Sequence, residues 1–274
     1  MWYLNLLPKN MLSRTVGRFA QIEKPKIVAT QFRDWFAARY KLNLAEAELP
    51  VEQYPSLAKL FTRKLKPGAR PLGAGIVHPC DAELTRAENI EGNSIIQAKG
   101  HQYKLSDFLK ISPDEVIAKF TGGLALTYYL CPTDYHRVHA PIDCDVEAVT
   151  HVPGALWPVN KWSVENVENL FAVNERVIFW LRTPFGPAAL VMVGATNVGQ
   201  ISVSVGSEEF RRDFATNSPF RTAPISETFE RAAAVKKGDE LGVFNMGSTV
   251  IVIYPSKCLN VMPHLGAVKM GVSL

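Results

Sequence analysis

The chain has 274 residues, 47% of them hydrophobic and 20% charged, with a net charge of +4. That is ordinary for a folded chain, long enough to bury a substantial core in one or two domains. The charge excess is too small to argue for nucleic acid. Four cysteines without a CxxC pair (Cys80, Cys131, Cys144, Cys258) do not form a disulfide scaffold. No run approaches the roughly 20 apolar residues of a membrane span.

In 1-MWYLNLLPKNMLSRTVGRFAQIE-23, Leu4, Leu7, Met11, Leu12, Val16 and Phe19 recur at helical intervals, and Pro8 breaks or starts a helix. The order of basic, apolar and small residues that marks a secretory signal is absent from this start. A second helix is predicted over 27-IVATQFRDWFAARYKL-42, with Phe32, Trp35, Phe36 and Tyr40 along one side. Lys9, Arg14, Arg18, Lys24, Lys26, Arg33, Arg39 and Lys41 concentrate positive charge here, against Glu23 and Asp34. Two readings are compatible: a helical layer packed on the fold, and an interfacial segment on anionic lipid. Residues 50–72 then read as a short helix and a proline-rich connection, which gives a boundary between 1–50 and 51–274.

From about residue 76 strands dominate. They are predicted at Ile95–Ala98, Leu124–Leu130, Val146–His151, Val177–Arg182, Ala188–Gly194, Val198–Val205 and Leu241–Tyr254, with short helices at 105–110 and 164–171. Residues 177–193 form a predicted hairpin with its turn at Thr183-Pro-Phe-Gly186. The expected fold class is α+β, a mostly antiparallel β core with N-terminal helices.

Candidate chemistry clusters in few places. His136 and His139 fall in 131-CPTDYHRVHAPIDC-144, after a strand. Asp81 lies in 78-HPCDAEL-84, and Ser248 interrupts the strand-like 241-LGVFNMGSTVIVIYP-255. An acid, a base and a nucleophile can be assembled in this chain order, although Ser248 lacks the Gly-x-Ser-x-Gly elbow of a hydrolase. Zinc is a rival for Cys131, His136, His139 and Cys144, but their spacing matches no zinc-finger pattern, and no metal is expected. Both histidines could equally be structural. His264 and Lys269 read as surface or packing residues.

Together, 133-TDYHRVHAP-141, 153-PGALWPVN-160, 169-NLFAVNERV-177, 192-MVGATNVG-199 and 246-MGSTVI-251 resemble phosphatidylserine decarboxylase, the pyruvoyl-dependent enzyme family of phosphatidylethanolamine synthesis. Residues 97-QAKGHQYKL-105 and Pro79–Asp81 fit too, and the bacterial form's Leu-Gly-Ser-Thr is here Met246-Gly-Ser-Thr. The resemblance implies self-cleavage at Gly247–Ser248 into chains 1–247 and 248–274. It implies His139 as base, Asp81 as its orienting acid and His136 as the histidine of decarboxylation. A pyruvoyl cofactor made from Ser248 would form a Schiff base with phosphatidylserine and release CO₂. Trp157, Pro158 and Val159 could line the substrate site.

The expected setting is peripheral, on the cytoplasmic face of a bacterial inner membrane. The expected partners are phosphatidylserine and the two chains of one proenzyme, assembled as a homo-oligomer and without nucleic acid. The alternatives are an unprocessed lipid-binding relative and a serine hydrolase using Asp81, His139 and Ser248.

Overall fold

The computed structural model describes residues 9–98, 101–196, 200–214, 216–218, 222–245, 248–259 and 262–274. The predicted helical positions Leu4, Leu7 and Pro8 lie outside these residues, as does Gly247.

Among the described residues α1 (Lys9–Ala20) and α2 (Lys26–Tyr40) come first, followed by the short α3 (Leu57–Phe61). Ser56 caps α3 by accepting from the Lys59 N–H. Phe36 of α2 packs with Leu57 and Phe61 of α3 and with Ala20 of α1, in a small cluster separate from the main core. The aromatic stripe of α2 is therefore divided. Phe36 turns inward, while Ile27, Val28, Phe32, Trp35 and Tyr40 stay exposed.

The main body is an eight-stranded antiparallel sheet in the order β10-β6-β7-β8-β12-β4-β1-β13. These strands are β1 (Ala82–Asn89), β4 (Leu124–Leu130), β6 (Cys144–Val152), β7 (Arg176–Thr183), β8 (Gly186–Val193), β10 (Ile225–Val235), β12 (Ser248–Tyr254) and β13 (Gly266–Val268). A second sheet holds β5 (Arg137–His139), β11 (Glu240–Phe244) and β9 (Ile201–Val203), and β2 (Ser94–Ala98) pairs with β3 (His101–Lys104). The fold is α+β. The predicted β7–β8 hairpin closes through Thr183 and Gly186, and Gly186 supplies the φ of +117° that the turn requires. Further helices are α4 (Leu105–Leu109), α5 (Pro113–Phe120), α6 (Lys161–Asn166), α7 (Leu170–Val173) and α8 (Glu208–Asp213).

The structure corrects two predicted elements. Leu241–Tyr254 is not one strand: β11 stops at Phe244 in the small sheet, and β12 starts at Ser248 between β4 and β8 of the large one. The predicted Val198–Val205 strand shrinks to Ile201–Val203, and its first residues, Val198 and Gly199, lie outside the described set. Unpredicted strands include β10, half exposed along its length, where no apolar alternation announces it. Inside β12, Val250, Ile251, Val252 and Ile253 are fully buried. Each such side chain contributes about 1.5–3 kcal/mol of burial, so β12 is among the most firmly held elements.

Candidate active site

The site forms where β4 and β5 meet the two strands on either side of the Gly247–Ser248 bond. β4 pairs with β12 so that Leu130 faces Ser248, and β5 pairs with β11 so that Arg137 faces Val243. The loop 131–136 therefore joins the partner strand of β12 to the partner strand of β11. A backbone bond from the Phe244 N–H to the His136 carbonyl, at 3.0 Å, ties the end of β11 to the end of this loop.

That loop is held from both sides. The Cys131 N–H donates to the Asp134 carboxylate at 2.8 Å, closing the turn. Below it, the Arg137 guanidinium donates to the Thr62 carbonyl at the end of α3 and pairs with Glu240 at 2.6 Å.

His136 is fully buried, with its ring 3.9 Å from the Phe61 ring, centroid to centroid. Its Nδ1 donates to the Asp134 carbonyl at 2.9 Å, while Nε2 is buried without a hydrogen-bond partner among the described residues. Burial pushes its pKa down to about 3, and the Arg63 charge adds to that shift. An unperturbed imidazole titrates at about 6.5 and could supply a proton close to neutrality. His136 rests neutral at pH 7 and must acquire a proton before it can donate one.

His139 is also buried. Its Nδ1 donates to the Gly238 carbonyl at 2.7 Å, leaving Nε2 as the acceptor of the Tyr135 hydroxyl at 3.1 Å. Burial lowers its pKa as well, partly opposed by the Gly238 bond and by Glu240. A neutral ring with its lone pair on Nε2 is the form a general base requires.

Asp81 is buried but does not touch His139. Its carboxylate takes Arg70 Nε at 2.9 Å and Nη2 at 2.5 Å, Lys269 Nζ at 3.0 Å and the Met270 N–H at 2.9 Å. Burial alone would raise this carboxyl. The Arg70, Met270 and Lys269 contacts outweigh it and hold the group below the usual carboxylate range. Asp81 reaches His139 through space, by charge. The ring itself is oriented by the Gly238 carbonyl. Lys269, expected to be a surface or packing residue, is an ion-pair partner of Asp81.

Thr249, next to Ser248, lines a cavity of about 860 Å³ with Arg86, Gln97, Val159, Lys161 and Phe171. Gln97 builds one wall, donating to the Val164 and Val167 carbonyls and accepting from the Leu170 N–H. Of the three residues expected at a substrate site, Val159 lines the cavity. Trp157 and Pro158 lie half-buried beside it, with the Trp157 backbone tied to the Asn174 side chain. Gly154 lets this loop approach residues 173–175, since an added Cβ would lie 2.5 Å from the Val173 carbonyl.

Among the described residues no three His, Cys, Asp or Glu side chains are grouped to hold a metal ion. A carbonyl group at the head of β12 fits the surroundings: it would neighbour the cavity that Thr249 lines and the loop carrying the orphaned His136 Nε2.

Arg63, Arg70, Tyr135 and Phe61 went unrecognised in the sequence. Arg70 and Arg63 had a faint signal, as arginines in the Pro- and Lys-rich connection just before Asp81, where a surface role is the default.

A sequence model of the family described as phosphatidylserine decarboxylase matches residues 57–274. A phosphatidylserine decarboxylase proenzyme of Anaeromyxobacter sp. (strain K) is 39% identical over 266 residues, spanning 96% of this chain and 91% of its own. That of Shewanella loihica is 38% identical over 266 residues, with 93% and 88% covered. The Myxococcus xanthus proenzyme is 38% identical over 260 residues, with 94% and 89% covered. The chain belongs to the phosphatidylserine decarboxylase family.

Proposed function

We propose that this decarboxylase matures by cutting itself between Gly247 and Ser248, and that the new N-terminus at position 248 becomes a pyruvoyl group acting on phosphatidylserine. One observation carries the reading: β11, which ends at Phe244, and β12, which starts at Ser248, pair with the two strands that bound the loop leading to His136 and His139.

His139 Nε2 accepts the hydroxyl proton of Ser248, with Asp81 favouring the charged ring from a distance. The serine oxygen attacks the Gly247 carbonyl carbon, the peptide C–N bond breaks, and an ester with a free amine results. Loss of the Ser248 Cα proton and cleavage of its Cβ–O bond release the Gly247 carboxylate and leave dehydroalanine. Water then replaces nitrogen, which departs as ammonia.

Once formed, the pyruvoyl ketone supplies an electrophile for the substrate amine and an electron sink for the bond that releases CO₂. His136 supplies a proton to the reacting carbon after taking one up at Nε2. The cavity beside Thr249 receives the head group. Its lining carries charge of both signs, Arg86 and Lys161 with Glu83 and Glu165, to meet a head group that bears an amine as well as a phosphate and a carboxylate.

The exposed Ile27, Val28, Phe32 and Trp35, with Lys24 and Lys26 nearby, suit contact with a membrane surface. Among the described residues no helix is long and apolar enough to cross one. α2 is linked to the site through its inward Phe36, which packs on Phe61 beside His136.

Denaturing gels of an active preparation test the proposal. It requires two chains, the smaller blocked to N-terminal sequencing. A single full-length chain retaining CO₂ release would overturn it, and fluorophosphonate labelling of an intact chain at Ser248 would favour a hydrolase.

A further inference from the structure

Arg63 follows α3 and is only 4% exposed. Its Nη2 donates to the carbonyls of Thr133 at 3.0 Å and Asp134 at 3.3 Å, which fastens it to the loop 131–136. Its Nε and Nη1 are buried without hydrogen-bond partners among the described residues. The two other arginines nearest in burial differ. Arg33 meets the Asp34 carboxylate and the carbonyls of Glu52 and Tyr54, and Arg176 spends its nitrogens on the carbonyls of Asp107, Phe108, Ala172 and Asn174. Arg63 has neither solution.

The unpaired atoms are not isolated. His136 Nδ1 donates to the same Asp134 carbonyl that accepts from Arg63, so guanidinium and imidazole converge on one oxygen. The remaining ring nitrogen, Nε2, is also buried and unpartnered. Asp81, Asp134 and Glu46 act on Arg63 through space, but none of them pairs with it. Buried donors on a charged group are strongly disfavoured unless an acceptor completes them.

We propose that Arg63 is a receiving site for a carboxylate that the uncut, substrate-free chain does not contain. The inference rests on the cleavage proposed above. The first source of such a group is the α-carboxylate freed at Gly247 when the ester eliminates. It arises between Phe244, whose N–H bonds to the His136 carbonyl at the end of the loop Arg63 holds, and Ser248. The second is the carboxylate of the phosphatidylserine head group. In the first case the ion pair exists only after maturation, so Arg63 stabilises the processed enzyme relative to its precursor and locks the cut.

The test compares processed enzyme with the uncut Ser248→Ala chain, each carrying Arg63, Arg63→Met or Arg63→Lys. Intact mass first establishes cleavage in the Arg63 protein; its absence there refutes the cleavage reading, separately from any role of Arg63. Thermal melting is then expected to fall more for Arg63→Met in the processed enzyme than in the Ser248→Ala chain, with Arg63→Lys restoring part of the difference. If Arg63→Met does not fold, the Lys pair decides. Equal shifts in both backgrounds exclude the chain's own carboxylate. The substrate source then requires Arg63→Lys to raise KM for phosphatidylserine at least tenfold while leaving inhibition by phosphatidylethanolamine, which lacks the carboxylate, unchanged. Equal melting shifts together with an unchanged KM overturn the proposal.

Discussion

Upstream of the Gly247–Ser248 bond, β11 belongs to a three-stranded sheet and ends at Phe244, whereas downstream β12 lies inside the eight-stranded sheet, flanked by β8 and β4. A cut at this junction severs a connection between two sheets and removes no strand from either. The chain 248–274 would stay attached through the buried Val250–Ile253 run, through β13 on β1, and through Lys269 and Met270 on Asp81. The precursor and the processed enzyme can thus share one fold, and the new N-terminus begins on a rigid strand.

Chemistry variants break this comparison most strongly. His139→Ala is expected to arrest processing and leave one band on a denaturing gel. His136→Ala still permits cleavage but loses CO₂ release by a factor on the order of 10²–10⁴, the usual range for a positioned acid or base. Normal decarboxylation by that variant would remove His136 from the mechanism.

Next come variants of the downstream anchor. Ile251→Ala should cost about 2–5 kcal/mol, read as a lower melting temperature. A substitution in exposed β10, such as Thr228→Ala, should change stability by no more than about 0.5 kcal/mol.

Acid probes the upstream loop. His136 and His139 are buried neutral with lowered pKa values, so below about pH 6.5 the unfolded chain binds more protons than the fold. Stability should therefore decline as pH falls through that value, by up to about 1.4 kcal/mol per pH unit for each histidine. His136→Asn should flatten the decline, as followed by chemical denaturation. Asp81 works in a lower window. Its depressed pKa contributes stability above about pH 4 that is lost as pH falls further, and Asp81→Asn should abolish that component.

The smallest effect expected is on the membrane face. Trp35→Ala should weaken binding to anionic vesicles by about tenfold or less, with melting unchanged, because the ring is exposed. Unchanged binding would remove α2 from the contact.

What the sequence made legible follows from local chemistry. Leu124–Leu130, the 177–193 hairpin and the Val-Ile run of β12 stand out because apolar β-branched residues and a Pro-Gly turn are local signals. The α5 helix was missed despite the Ser112–Glu115 capping box at its start, a signal that was there to read. β10 was missed because Ser226, Glu227 and Glu230 look like a loop when one face meets solvent. The break at residues 245–247 was visible as odd residues, but a change of sheet is a tertiary fact. Ser248 stood out as an interruption of a strand, and its role with Gly247 as the point of cleavage came through the family resemblance. Arg63 and Gly238 could not be singled out, because their partners lie far along the chain.

The most direct test is the intact mass of the small chain from active enzyme. A chain spanning 248–274, lighter than the unmodified peptide by one ammonia, is the result expected of a pyruvoyl terminus at position 248. A chain of that span with an intact serine terminus, or no such chain in a preparation that releases CO₂, would contradict it.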